Sequence, residues 1–86
     1  MISVQSPDAS QLETATQWPV WEKEICNFDE DYTAREMFYI LDGEARLTTR
    51  CGIDQTIRQG DLVTVEAGVL VNWDIRQPIR KHFKFF

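Results

Sequence analysis

Eighty-six residues make one domain, and a chain 43% apolar and 12% aromatic is rich enough in core-forming residues to fold. Its formal charge of −5 disfavours a nucleic-acid backbone or an anionic membrane surface, since both select Lys and Arg. A chain this short buries only about 60–65% of its unfolded surface, so the core is thin and a homodimer is expected.

The opening residues, MISVQSPDAS, carry neither a basic region nor an apolar run of the secretory type, and no stretch has 18 apolar residues in a row. Cys26 and Cys51 lack metal-type spacing and read as free thiols in a reducing, cytoplasmic compartment, with a disulfide between them as the alternative. Ser6-Pro7-Asp8 predicts a helix start capped by Ser6, with about two turns over Ala9–Ala15 before Trp18-Pro19 ends it. Residues 1–17 are therefore an N-terminal helical segment, and 18–86 the β domain.

Strand and turn follow. Residues 20–28 alternate, with Trp21, Lys23, Ile25 and Asn27 on one face. Asp29-Glu30-Asp31 predicts a polar break. Residues 36–41 are apolar on both faces, as in a strand covered on both sides. Asp42-Gly43 predicts a tight hairpin, and 44–49 the return strand with Ala45 and Leu47 inward. Short strands are expected over 55–58 and 62–65, then over 69–75 and, past a break at Gln77-Pro78, over 79–85. Seven or eight short strands with regular turns predict an all-β jelly-roll β-barrel, whose mouth is the natural place for a ligand.

The turn skeleton resembles a known family. Glu36, six residues and Gly43 match the second half of the first cupin motif, and Gly60-Asp61 with Glu66-Ala67-Gly68 resemble the second. The flanks, Trp18-Pro19-Val20-Trp21 and Pro78-Ile79-Arg80-Lys81-His82-Phe83, are similar to those of small single-domain cupins grouped with ureidoglycine aminohydrolase. The resemblance implies a jelly-roll fold and, in catalytic members, a metal held by three His and one Glu. Here Asp29 and Asp31, or Glu30 and Tyr32, stand where the first two His belong. Val71 stands at the third. Only Glu36 matches. The resemblance thus implies a degenerate site with no cofactor and no tightly bound transition metal. The alternative is a divalent cation on Asp29, Asp31 and Glu36, an all-oxygen set.

Glu36 is expected to face the barrel interior as an acid/base or ligand-binding group, or else to be paired at a strand end. His82, the sole histidine, is a candidate base or proton shuttle. Alternation places it with Arg80 and Lys84, opposite Lys81, Phe83 and Phe85. A surface histidine is the plainer reading. Phe38, Val71, Trp73 and Tyr32 line the expected ligand pocket, or fill it as packed core. Trp18 and Trp21 are expected at the N-terminal edge or a dimer contact. The cations between Arg76 and Lys84 read as a solvated strand face or an anion-facing rim. Function follows as a dimeric barrel binding a small metabolite. The alternative is an enzyme resembling ureidoglycine aminohydrolase, acting on a small polar metabolite through Glu36.

Overall fold

A computed structural model describes the whole chain, Met1–Phe86. It runs β1 (Ile2–Gln5), α1 (Ala9–Ala15), β2 (Val20–Lys23), β3 (Cys26–Tyr32), β4 (Glu36–Thr48), β5 (Asp54–Arg58), β6 (Leu62–Val65) and β7 (Val69–Phe85). The all-β class, the single domain and the short helix expected above are what the chain forms. The helix cap is Asp8 rather than Ser6. The Asp8 carboxylate accepts the Gln11 backbone N–H at 2.8 Å, and the Gln11 side-chain oxygen accepts that of Asp8 at 3.0 Å. That reciprocal box satisfies two otherwise orphaned donors. The helix is the only one, and no helix is long and apolar enough to cross a membrane.

Two long antiparallel strands organise the rest. β4 and β7 pair from Glu36↔Phe85 to Thr48↔Asn72. Along its outer edge β4 pairs first with β6 and then with β5, while β7 pairs with β3 over its first half and with β2 over its second. One seven-stranded sheet is thereby folded across itself, and the core fills the space between its halves. Neither the hairpin expected at Asp42-Gly43 nor the break expected at Gln77-Pro78 is formed. Each dipeptide is an interior point of a continuous strand.

At Gly43 the phase of β4 slips. Glu36, Phe38 and Ile40 are buried before it, and Ala45 and Leu47 after it, so inward residues change from even to odd numbers. The register against β7 shifts between Ile40 and Ala45. An extra residue here keeps the apolar side inside while the strand changes partner, which is what a bulge does. Gly43 has φ +100°, and a Cβ on it would lie 2.2 Å from the Pro78 carbonyl oxygen. Only glycine fits at this crossing.

β7 makes no such slip. Val71, Trp73, Ile75, Ile79 and Lys81 are all buried, in one odd-numbered series that runs through Pro78. Elsewhere the structure departs from expectation in the opposite sense. The run 20–28 is two strands, and the break at Glu24-Ile25 turns Cys26, Phe28, Glu30 and Tyr32 to the same side as Trp21. The acidic triplet is strand, not a break: Asp29 pairs Asn72 and Asp31 pairs Leu70 in the β3–β7 ladder. Ahead of the helix, β1 adds to the sheet beside β6 and packs Ile2 and Val4 on the core.

Gly43→Ala therefore meets both an unfavourable φ and a blocked Cβ site. It should cost about 2 kcal/mol or more in urea unfolding. A loss below about 0.5 kcal/mol, the range of an ordinary surface substitution, would show that the crossing is looser than described.

Candidate small-molecule site

The odd-numbered phase of β7 carries Lys81 inward opposite Ile40 of β4. Its side chain is 5% exposed and that of Glu36 4%. At such depth neither charge is tolerable alone. They answer each other: Lys81 Nζ donates to Glu36 Oε2 at 3.1 Å. The other carboxylate oxygen, Oε1, accepts the Tyr32 hydroxyl at 2.8 Å. The Trp73 indole N–H in turn donates to the Tyr32 oxygen at 3.3 Å. No buried side-chain nitrogen or oxygen is left without a partner.

Aromatic rings surround the ammonium. Nζ lies 4.0 Å from the ring centre of Phe38, 4.6 Å from Trp73 and 4.7 Å from Trp21. Such faces attract a cation, and the effect grows where water is excluded. Phe28 stacks on Trp73 at 5.9 Å, with planes 12° apart. Above the pair opens a cavity of about 290 Å³. Trp21, Phe28 and Trp73 wall it, Tyr32, Glu36 and Lys81 form its polar part, and Glu30, Phe83 and Phe85 complete it. Two acids and one base give the lining a net negative charge.

Burial holds the two proton-bearing groups in opposite senses. It pulls the Lys81 ammonium below the usual lysine value, against the pull of Glu36. The Tyr32 phenol is held well above its usual value, by burial first and by the Glu36 charge second. Tyr32 is thus held as a hydrogen-bond donor, and the Lys81 ammonium gives up its proton more readily than an ordinary exposed lysine would.

Of the residues singled out from sequence, the structure brings together Tyr32, Glu36 and Trp73 at the cavity. Phe38 lies fully buried against the ammonium, while Val71 belongs to the packed core and does not line the cavity. His82 is not part of the site. Its outward phase turns it away from Lys81, and its Nδ1 lies 2.8 Å from the Trp18 carbonyl oxygen. Asp29 and Asp31 are exposed on the outer face of β3, and Asp29 accepts from Asn72 at 2.9 Å. They cannot converge with Glu36, and no three His, Cys, Asp or Glu side chains gather as a metal-holding group. The three-His-one-Glu set of catalytic cupins does not fit this chain either: Val71 offers no donor, and an ammonium already occupies Glu36 Oε2. Lys81, Trp21, Phe28, Phe83 and Phe85 line the cavity without a motif that names them for it, whereas Glu30 and Tyr32, together one of the two alternatives for the motif His positions, both face it. For Lys81 the pointer is the parity it shares with Trp73, Ile75 and Ile79.

A family model described as the EutQ-like cupin domain matches residues 10–83. Among solved structures, a DUF861 family protein from Thermotoga maritima is 36% identical, with full coverage of both chains and a TM-score of 0.95. The EutQ protein of Clostridium difficile is 18% identical, with 78% of this chain covering 52% of that one and a TM-score of 0.70. A cupin superfamily protein from Desulfitobacterium hafniense is 15% identical, with 96% of this chain covering 74% of that one and a TM-score of 0.60. At these last two identities the likeness is one of fold alone, and the chain spans about half of EutQ. No match emerges among curated proteins.

Removing one partner should cost more than removing both charges. Lys81→Met strands the Glu36 carboxylate and should lose about 3–5 kcal/mol in urea unfolding at pH 7. Adding Glu36→Gln, which still accepts from Tyr32, should recover most of that loss. A double variant no more stable than the single one would contradict the pairing.

The Tyr32 shift has a definite sign. Because its folded-state pKa lies above the ordinary phenol value of 10.0, the contribution of Tyr32 to stability is fully present below pH 10 and declines as pH rises from there toward the folded-state value. In an alkaline titration read at 295 nm, Tyr32 should ionise only as the fold is lost. A Tyr32 signal titrating near pH 10 in protein that remains folded would contradict its burial.

Proposed function

The chain belongs to the EutQ-like cupin domain family, and on that premise we propose that it is a metal-independent, dimeric barrel that binds a small metabolite. The observation that carries this reading is the 3.1 Å contact between Lys81 Nζ and Glu36 Oε2. In catalytic cupins the matching carboxylate meets a metal cation. Here it meets an ammonium supplied by the chain itself, in a cavity whose remaining walls are mostly aromatic. A planar, weakly charged molecule suits those walls, and Glu30 disfavours a strong anion.

The dimer rests on the thin core and on apolar side chains left exposed at Val20, Ile25, Leu70, Phe85 and Phe86. A reducing, cytoplasmic setting is supported by Cys26 and Cys51, both free thiols. The second reading is an enzyme like ureidoglycine aminohydrolase working through Glu36. In its favour Glu36 does line the cavity. Against it, both carboxylate oxygens are already engaged, one by Tyr32 and one by Lys81.

Protein purified without chelator should carry transition metal well below one ion per chain, and should elute as a dimer in light scattering at micromolar concentration. A stoichiometric transition metal that disappears in Glu36→Gln would overturn the metal-independent reading. A monomer would remove the dimer from it.

A further inference from the structure

The ion pair explains how Lys81 is tolerated, but not why a lysine is there. A methionine of similar length would fill the same volume, with no charge to bury. What Lys81 adds is a primary amine lining an aromatic cavity, with a carboxylate at hydrogen-bond distance and a phenol bonded to that carboxylate.

We propose that Lys81 is a carbonyl-capturing amine, and that the cavity binds a small aldehyde or ketone with an apolar or aromatic body as a reversible imine. This rests on the binding-barrel reading above and names its ligand class.

The chemistry balances with the groups present. The ammonium passes one proton to Glu36 Oε2, its direct partner. The freed Nζ lone pair attacks the carbonyl carbon, forming the C–N bond, and a proton moves from nitrogen to oxygen to give the carbinolamine. Glu36 returns its proton to the carbinolamine hydroxyl, the C–O bond breaks and water leaves. The product is a protonated imine beside a restored carboxylate, with total charge unchanged and no oxidant or reductant used. Burial assists the first transfer from the Lys81 side, because an apolar wall disfavours the ammonium relative to the neutral amine. The imine cation then sits where the ammonium sat, against Phe38, Trp73 and Trp21. Tyr32, held protonated, keeps the carboxylate in place throughout. The ionisable groups at the cavity are Glu36, Glu30 and Tyr32, and none is a competing amine.

Only two other lysines, Lys23 and Lys84, and the amine of Met1 could react in the same way, so the site is easily told from background. The full chain is treated at pH 7 with benzaldehyde and sodium cyanoborohydride, which reduces only the imine, and the benzylated peptides are mapped by mass spectrometry. Lys81 should be labelled faster than Lys23 and Lys84, by about tenfold or more for an activated amine. Glu36→Gln should slow labelling at Lys81 while leaving Lys23 unchanged. Label confined to Met1, Lys23 and Lys84 overturns the proposal.

The same reaction is run with EDTA and with zinc. Equal labelling of Lys81 in both supports the capture and the reading beneath it. Zinc that binds stoichiometrically and protects Lys81 defeats the metal-independent reading. An unlabelled Lys81 in both, with no metal bound, defeats the imine alone.

Discussion

A buried ammonium and a buried carboxylate are each intolerable in an apolar wall and acceptable together. Lys81 and Glu36 meet that condition across the β4–β7 seam, and much of the architecture can be traced to it. The contact requires Lys81 to face inward, so β7 must keep its phase past Pro78. It requires Glu36 to face inward as well, on a strand that later buries odd-numbered residues instead. The slip at Gly43 reconciles the two. Position 43 thus does remote service for the cavity: without a glycine there, β4 could not pass the Pro78 carbonyl and change phase.

The pair also sets what the cavity can hold. In a cupin with a metal, the inward carboxylate is one ligand among four, and the ion supplies positive charge that the ligand can reach. In this chain the positive charge is covalently tethered and already paired with Glu36, and three aromatic faces share it. A strong anion therefore meets little unbalanced charge, and Glu30 opposes it. A flat molecule finds rings on several sides. The 36% identical relative from Thermotoga maritima shares the fold end to end, whereas the EutQ likeness speaks only for the barrel. Function has to be argued from the cavity itself, since a fold carries many chemistries.

Strand alternation made most of the fold legible. Ala45, Leu47, Val71, Trp73 and Ile75 follow period two without interruption, and all are buried. What was hidden lies where the phase changes or a local signal misleads. Asp42-Gly43 has the composition of a hairpin, yet the same positive φ serves a bulge, and only the partner strand decides between them. Gln77-Pro78 looks like a stop. A proline is compatible with a strand where its missing N–H interrupts no ladder bond. A strand ended there separates Lys81 from the buried series to which it belongs and gives it the look of one more cation in a basic tail. Asp29-Glu30-Asp31 reads as loop from composition alone. Within β3 its members alternate, two outward into water and Glu30 inward to the cavity. Trp21 and Phe28 have opposite parity, and nothing short of the break at Glu24-Ile25 puts them on one wall. The retained Glu36 could be found from motif spacing, whereas its partner, 45 positions away, could not.

Whether Lys81 is the cation at Glu36 can be read most directly by side-chain ¹⁵N NMR of the three lysines. The Lys81 ammonium protons should exchange with solvent far more slowly than those of Lys23 and Lys84, show contacts to the rings of Phe38 and Trp73, and be unmoved by added zinc or manganese. A Lys81 signal indistinguishable from those of Lys23 and Lys84, with manganese broadening the Glu36 carboxylate, would contradict that pairing.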